Sequence, residues 1–140
     1  YGPGDNFDIK SGHVLGSLIA KFHEAKIQNK PTVTLWGTGS PQREFIYVED
    51  CADACIHVLE KVSSEGPFNI GVGDDISIRE LAETIKKYVG FQGEITWDDT
   101  KPDGVARKLL NSDKIHKTEW KHATTLEKGI EKTYKWFKNK

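Results

Sequence analysis

Residues 13–41 read HVLGSLIAKFHEAKIQNKPTVTLWGTGSP, and this stretch decides the fold. From position 14 to position 25 its apolar side chains recur every three or four residues, which is the spacing of a helix that buries one face. The helix is predicted to end near Gln28 and Asn29, before Pro31. The β-branched run Thr32–Trp36 predicts a strand, and the glycines and proline of 37–41 close it. Helix, strand and glycine turn in this order indicate an α/β chain.

The same alternation continues outward from this stretch. Further strands are predicted at 45–48, 68–72 and 94–97. Four helices should follow the first: one capped by Asp50, one at 78–89 opened by a capping box of Ser77 and Glu80, a short one near 112–118, and one opened by a second capping box at 124–127. The result is an α/β fold with four short strands and about five helices. The apolar strands at 45–48 and 68–72 need a sheet that covers both faces, which missing residues or a partner chain would supply.

The composition excludes several classes of protein. The chain has 140 residues, 36% of them hydrophobic, with 20 basic and 21 acidic side chains. A net charge of −1 argues against disorder and against a dedicated nucleic-acid-binding protein. No apolar run approaches the ~18–20 residues of a membrane-spanning helix. We therefore expect neither nucleic acid nor a membrane as a partner.

Cysteine and methionine usage adds two expectations. Cys51 and Cys55 lie four positions apart and are interpreted as small buried residues of a reduced, cytoplasmic protein. Only His57 lies near them, so no metal site is expected. The sequence contains no Met and opens with YGPG at 1–4, which predicts a fragment or an excised domain. A processed mature protein is the alternative.

Several side chains have the chemistry of a binding or catalytic site. His13 stands at the start of the first helix, where it is either a capping residue or an acid–base group near neutral pH. Trp36 is either a core aromatic or a platform for a base or sugar ring. The loop cations Arg43, Lys101, Arg107 and Lys108 would suit a diphosphate if they converged, although single loop charges are usually solvated. The glycine pairs at 37–39 and 71–73 are interpreted as turns, because neither fits a phosphate-binding or dinucleotide-binding pattern.

A set of short motifs runs the length of the chain in a fixed order. They are YGP at 1–3, DNF at 5–7, GHVL at 12–15, KFHEA at 21–25, WGTG at 36–39, REF at 43–45, DA at 53–54, NIG at 69–71, ISIRELA at 76–82, KPDG at 101–104 and RKLL at 107–110. Together they resemble the GDP-L-fucose synthases, members of the extended short-chain dehydrogenase/reductases. The resemblance implies the C-terminal, substrate-binding lobe of a Rossmann-type enzyme. Residues 1–140 would then be that portion, and the N-terminal dinucleotide-binding half would be absent.

The resemblance implies a two-stage reaction. GDP-4-keto-6-deoxy-D-mannose is epimerised at C3 and C5, and NADPH then reduces C4 to give GDP-L-fucose. By position His13 matches a catalytic acid–base residue of the family. Its partner cysteine lies in the absent half, so neither Cys51 nor Cys55 is that residue. The 140 residues alone are expected to be inactive, and the full-length protein is expected to be a cytoplasmic homodimer.

The remaining site residues are also carried over by position. The substrate contacts implied are Lys21, Trp36, Arg43, Asp103 and Lys108, and the implied neighbours of the NADP cofactor are Tyr1, Gly2 and His13. Gly12, Gly16 and Tyr47 depart from the residues frequent in the family, and the two glycines are expected to loosen the loop that holds His13. A related GDP-6-deoxy-4-keto sugar such as a heptose therefore remains an alternative. Two others are a non-catalytic GDP-sugar-binding module and a subunit that assembles with a separately encoded nucleotide-binding half.

Overall fold

A computed structural model describes residues 1–63 and 66–140. Within these ranges the helices are α1 Val14–Ile27, α2 Val48–Lys61, α3 Ile78–Val89, α4 Asp113–His116 and α5 Leu126–Lys138. The strands are β1 Thr32–Trp36, β2 Gln42–Arg43, β3 Ile76–Ser77, β4 Glu94–Asp98 and β5 Arg107–Lys108. No helix in the described ranges has the length and apolar character needed to span a membrane.

The strands form two small sheets. β1 and β4 pair in parallel from Thr32 with Glu94 to Trp36 with Asp98. In the second sheet β2 lies between an antiparallel β3 and a parallel β5. Because β1 and β4 are parallel, both strands end at the same edge. The loops that follow them, at 37–41 and 99–106, therefore meet there.

The main core lies between α1, α3, α5 and the inner face of β1. Its largest fully buried side chains include Phe22, Leu15, Ile19, Leu81 and Ile85. Burial of each such side chain is worth roughly 1.5–3 kcal/mol. Val33 and Leu35 alternate with exposed residues along β1 and face this core. α1 and β1 are thus fixed by burial, which fixes the residues at their ends.

All five predicted helices are present, and the bounds of α1 and α3 are close to those predicted. Two of the four predicted strands, β1 and β4, are confirmed. The capping box of α3 is present, since Ser77 Oγ accepts from the amide of Glu80 and the Glu80 carboxylate accepts from the amide of Ser77. Gly90 ends the helix in the left-handed conformation, with φ 74°. Long periodic segments of sequence carried these predictions.

The strand predicted at 45–48 is wrong. Val48 begins α2, and the extended segment before it pairs with a single residue. The amino group of Tyr1 donates to the Ile46 carbonyl at 3.1 Å, and the amide of Val48 donates to the Tyr1 carbonyl at 2.8 Å. Two hydrogen bonds to a single residue do not form the repeated backbone pairing of a β-strand.

The strand predicted at 68–72 is also wrong, because no strand of the described chain lies beside it. Side chains hold this segment instead: Asn69 Nδ2 donates to the Asn111 carbonyl at 3.0 Å, and His116 Nε2 lies 3.2 Å from the Gly71 carbonyl. The segment packs against α2 and α4 through Phe68 and Ile70.

The remaining helices, α2, α4 and α5, are present as predicted, but the starts of α2 and α5 and the extent of α4 differ from the prediction. Tyr47, not Asp50, is the N-cap of α2, and buried Asp50 accepts hydrogen bonds from the amides of Ala123 and Thr124 at 3.2 and 3.0 Å. Thr125, not Thr124, caps α5 by accepting from the amide of Lys128. The short helix is confined to Asp113–His116. The two-residue strands β2, β3 and β5 were not predicted, because two residues carry no periodicity.

The prediction that both cysteines are buried is wrong as well. Cys55 is exposed and Cys51 is partly exposed, and both are free thiols. They lie on α2, whose inner face packs through Ala54 on Ile115 and Trp120. Its opposite face carries Val48, Ile56 and Leu59, which are all exposed. α2 therefore presents an apolar face that nothing in the described chain covers.

Candidate functional site

The site lies where β1 ends, beside β2 and β5. Trp36 is the last residue of β1 and is 72% exposed, which excludes its interpretation as a core aromatic. The side chains of a strand alternate between faces, so the burial of Val33 and Leu35 turns Trp36 outward. An exposed indole at a strand end is available for stacking on a planar ring.

Two cations stand side by side on β2 and β5, and one of them, Arg43, lines a cavity with this indole. The register of the parallel β2–β5 pair places Arg43 opposite Lys108. Neither forms an ion pair with a carboxylate within residues 1–63 and 66–140. Within the described residues the Arg43 guanidinium donates only to the neighbouring Gln42 carbonyl, at 2.6 Å. Adjacent like charges repel, so this arrangement favours an anionic ligand.

A cavity of about 170 Å³ connects Trp36 to Arg43. Its lining also includes Val14, Pro41, Ile78, Pro102 and Asp103. Arg43 lines a second cavity of about 450 Å³, where Asp74, Asp75, Glu80 and Glu127 contribute carboxylates. Four carboxylates repel a phosphate, so the smaller cavity is the better anion site although the other is larger.

Asp103 forms one wall of the smaller cavity. Its Oδ1 accepts from the amide of Thr38 at 2.9 Å, and its Oδ2 accepts from the Thr38 hydroxyl at 2.7 Å. These hydrogen bonds, the one from the hydroxyl first, hold the pKa of Asp103 below its ordinary value. A lowered pKa keeps the carboxylate ionised at neutral pH, and the contact is lost only as the pH falls through that pKa.

α1 carries one further predicted residue, Lys21. The first residue of the helix, Val14, lines the cavity, whereas Lys21 lies two turns further along the helix and is not among the described residues that line it. Lys21 is half-buried, has no ion-pair or hydrogen-bond partner in the described chain, and has its pKa lowered by desolvation. A bound anion would relieve that cost, because it favours the charged ammonium.

His13 precedes α1 as its N-cap residue, but its side chain makes no capping hydrogen bond. The ring is exposed and has no hydrogen-bond partner in the part of the chain that the structure describes. The loop before it is stiff, because Asp8 Oδ1 accepts from Ser11 and Lys10 and the amide of Gly12 donates to the Asp8 carbonyl. The hydrogen-bonded loop thus holds in place an exposed imidazole that has no hydrogen-bond partner in the described chain.

The glycines of this loop do not loosen it, contrary to the prediction. A Cβ atom on Gly12 would lie 2.5 Å from the carbonyl oxygens of Asn6 and Asp8, and one on Gly16 would lie 2.8 Å from that of Asn6. Both glycines therefore permit a close approach of the chain that any side chain would block.

Tyr1 and Gly2, predicted beside the cofactor, are turned into the protein. The Tyr1 hydroxyl donates to the Leu126 carbonyl at 3.3 Å, and its ring packs edge-on against Phe45 and Tyr47. Burial, with the nearby Asp50 carboxylate, raises the pKa of this phenol. Gly2 is buried against Val48.

Three functional neighbours were missed from the sequence: Thr38, Arg79 and Glu44. The Glu44 carboxylate accepts from the amide of Gly73 at 2.8 Å and from that of Leu110 at 3.2 Å, so it ties β2 to two distant loops. The motifs WGTG, ISIRELA and REF contain these residues, but nothing in the sequence marks their contacts. No group of three or more metal-ligating side chains comes together in residues 1–63 and 66–140.

Residues 1–71, half of the chain, match the NAD dependent epimerase/dehydratase family. The chain belongs to this family. Relatives in the epimerase/dehydratase family include the probable GDP-L-fucose synthase 1 of Oryza sativa subsp. japonica, 50% identical over 137 residues. That match covers 98% of this chain and 42% of the rice protein, so the chain spans less than half the length of this relative.

Two solved structures show the same fold. The GDP-L-fucose synthetase of Naegleria fowleri bound to NADP superposes with a TM-score of 0.92 at 33% identity, over 99% of this chain and 44% of that one. A GDP-6-OMe-4-keto-L-xylo-heptose reductase from C. jejuni superposes with a TM-score of 0.89 at 32% identity, over 99% of this chain and 51% of that one. The short strands and five helices described above are thus the α/β arrangement found in Rossmann-type epimerases and reductases.

Proposed function

We propose that this chain is the substrate-binding part of an NADP-dependent enzyme that epimerises GDP-4-keto-6-deoxy-D-mannose at C3 and C5 and reduces C4 to give GDP-L-fucose. The observation that carries the proposal is the pairing of Arg43 with Lys108, together with the cavity that Arg43 shares with the exposed Trp36. Two adjacent cations without an ion pair in the described chain, one of them in a cavity with an open indole, suit a nucleoside diphosphate. The GDP-L-fucose synthases among the relatives of the chain support the choice of this sugar nucleotide.

The diphosphate is gripped by cations from three elements. Arg43 supplies a planar fork for two phosphate oxygens, while Lys108 and Lys21 act as point charges. Trp36 offers its indole face to guanine or to a sugar ring. The fifth predicted contact, Asp103, is already bound to Thr38.

His13 moves the protons of the epimerisation. The hydrogens on C3 and C5 are acidic because each carbon lies next to the C4 ketone, and inversion needs an acid and a base on opposite sides of the enolate. An exposed imidazole held by a stiff loop meets the requirement for one of the two. NADPH, when bound, supplies the hydride that reduces C4.

The residues predicted to border NADP cannot hold it alone. Of Tyr1, Gly2 and His13, His13 alone is exposed. The glycine turns are filled by protein: a Cβ on Gly37 would meet Asp103, and one on Gly71 would meet Glu44. We therefore assign the dinucleotide site to a half of the longer protein that precedes these 140 residues.

The uncovered face of α2 supports that assignment. Val48, Ile56 and Leu59 are exposed on the side of the helix opposite Ala54. The extended segment 68–72 packs on the Ala54 side and has no paired strand among the described residues. A parallel sheet in the missing half would cover the helix and extend to this segment. The resemblance also implies a homodimeric, cytoplasmic enzyme. The free thiols of α2 are in keeping with a reducing compartment.

The test uses the full-length enzyme with NADPH and GDP-4-keto-6-deoxy-D-mannose. Arg43→Ala and Lys108→Ala should each raise KM at least about tenfold, since a hydrogen bond to a charged group contributes roughly 1.5–3 kcal/mol. Lys135→Ala, an exposed lysine of α5, is the control. His13→Gln should abolish inversion at C3 and C5, because one of the two acid–base groups is then missing. Equal affinity for GDP and UDP would contradict the GDP-sugar assignment.

A second candidate substrate is a GDP-linked 4-keto heptose. The likeness to the C. jejuni heptose reductase favours it, because that protein shares the fold over the whole chain. Comparing kcat/KM for the two keto sugars decides between them. Binding of GDP-sugars without turnover by the full-length protein would instead support a non-catalytic binding module.

A further inference from the structure

A buried carboxylate lies at the start of one edge strand of the sheet that carries the two cations of the site. Asp75 directly precedes β3, and its side chain is only 6% exposed. A carboxylate in such a place needs a charged or hydrogen-bonding partner, because the cost of removing it from water is otherwise not offset. The partner of Asp75 is Arg107, the first residue of β5, which forms the opposite edge of the sheet.

The contact between these two side chains is bidentate. Arg107 Nε donates to Asp75 Oδ2 at 2.6 Å, and Arg107 Nη2 donates to Asp75 Oδ1 at 3.2 Å. Two charge-assisted hydrogen bonds from one guanidinium fix its direction as well as its distance. Because β2 lies between β3 and β5, the ion pair ties the two outer strands together across the middle one.

The strand that this ion pair holds is short. β5 has two residues, and it pairs with β2 through Gln42 opposite Arg107 and Arg43 opposite Lys108. The amide of Gln42 donates to the Ala106 carbonyl at 2.8 Å. A strand of two residues has few backbone hydrogen bonds, so its position depends on side-chain contacts as well.

Lys108 follows Arg107 in β5 and therefore takes its position from the same contact. Consecutive side chains of a strand point to opposite faces, so β5 is anchored through Arg107 on one face and presents Lys108 on the other. Beyond β5, the Glu44 carboxylate accepts from the amide of Leu110 at 3.2 Å. The segment that carries Lys108 is thus held on both sides of this lysine, by Arg107 before it and by Leu110 after it.

We propose that the Arg107–Asp75 ion pair positions Lys108 for the substrate, by holding β5 so that Lys108 stays opposite Arg43. The inference rests on the proposed function for its ligand, the diphosphate of a GDP-sugar. Two adjacent cations repel each other, so an empty site needs a contact that opposes the separation of Lys108 from Arg43. The ion pair opposes it from β3, and neither cation has to give up its charge to a carboxylate.

The sign of the effect at Asp75 separates this role from a direct contact of Arg107 with phosphate. Removal of a carboxylate near an anion site should by itself strengthen the binding of a diphosphate, and it would release Arg107 to the ligand. Loss of a positioning contact should weaken binding instead. We expect Asp75→Asn to raise KM for the GDP-sugar about five- to tenfold in the full-length enzyme, with a much smaller change in kcat.

Asp74→Asn is the matched control for this substitution. Asp74 is exposed, and its Oδ1 accepts from the amide of Asp75 at 2.9 Å, a hydrogen bond that the amide oxygen of Asn can also accept. The control therefore removes one negative charge at the neighbouring position and keeps the ion pair, so KM should not rise. An Asp75→Asn enzyme whose KM is equal to or below the wild-type value would overturn the proposal.

A double-variant cycle tests whether the ion pair acts through Lys108. Asp75→Asn should raise KM in the wild-type background and have little effect in Lys108→Ala, where the cation that it positions is already missing. Arg107→Lys, a milder change that keeps the positive charge, goes through the same cycle and carries the test if Asp75→Asn does not fold. A direct phosphate contact of Arg107 predicts that Arg107→Lys raises KM by the same factor in both backgrounds, and that result would also overturn the proposal.

Hydrogen exchange of the unliganded full-length protein tests the ion pair without any substrate. The peptide that covers residues 105–110 should exchange faster in Asp75→Asn than in wild type, whereas Asp74→Asn should leave its exchange unchanged. Unchanged exchange in Asp75→Asn would contradict the proposal whatever the kinetics show. Faster exchange in a protein that does not bind GDP would confirm that the ion pair holds β5 and would reject the proposed function.

Discussion

At the scale of single residues, the side chains of the site could be predicted from the sequence, but their proximity in the fold could not. Trp36, Arg43 and Lys108 stand out by chemical type and by motif. Their proximity depends on the β2–β5 register, which pairs residues far apart in sequence. Two-residue strands leave no periodic signal, so only the structure brings the cations together.

Gly12 gives the first prediction at this scale. Gly12→Ser should lower the free energy of unfolding by about 1–3 kcal/mol, because its Cβ overpacks against the Asn6 and Asp8 carbonyls. The kcat of the full-length enzyme should fall with it, since the loop positions His13. Urea unfolding measures the first effect. Gly104→Ala, whose methyl meets only the flexible end of Arg43, should leave stability unchanged.

Glu44 gives the second prediction at this scale. Glu44→Ala removes the acceptor of two amides, those of Gly73 and Leu110, and should cost about 1–3 kcal/mol in urea unfolding. Glu44→Gln keeps one amide oxygen and should cost less. Glu83→Ala, an exposed substitution on α3, is the matched control. Equal stability of all three variants would show that water replaces the carboxylate without loss.

At the scale of elements, length and periodicity separate the correct predictions from the wrong ones. α1 and α3 repeat an apolar stripe over three turns or more, and β1 and β4 pair with each other in parallel. The segments 45–48 and 68–72 have strand-like composition, but a strand also needs a neighbour. Composition reports the side chains of a segment and says nothing of its hydrogen-bond partner.

The cap of α3 is predicted to do more than an ordinary cap. Ser77 belongs to β3 as well, and β3 pairs Ile76 with Arg43. Ser77→Ala should therefore lower the unfolding free energy by about 1 kcal/mol and also raise KM for the GDP-sugar. Thr125→Ala, which removes the cap of α5 outside both sheets, should lower stability alone. A Ser77→Ala enzyme with normal KM would separate the cap from the site.

At the scale of the whole molecule, the sequence indicated a missing sheet and the structure contains the face that such a sheet would cover. Ile56→Glu with Leu59→Glu should reduce self-association of the 140-residue chain, measured by light scattering, because it removes exposed apolar surface. The same pair should destabilise the full-length enzyme, where the face is covered. Glu60→Lys on the same helix is the control. A full-length enzyme indifferent to both charges would place the missing half elsewhere.

The contacts that join β1 to β4, and the loops that follow these two strands, also bear on how fast the chain folds. Thr34 and Thr96 pair across 62 residues, and Thr38 and Asp103 across 65. Each contact closes a long loop, and the entropy of closure is lost before any hydrogen bond forms. A mixed α/β domain with such pairings is expected to fold more slowly than a helical bundle, whose contacts are local. We expect helices α1 and α3 to dock early and the edge formed by the loops 37–41 and 99–106 to be completed last, so a ligand that needs this edge would bind only fully folded chains.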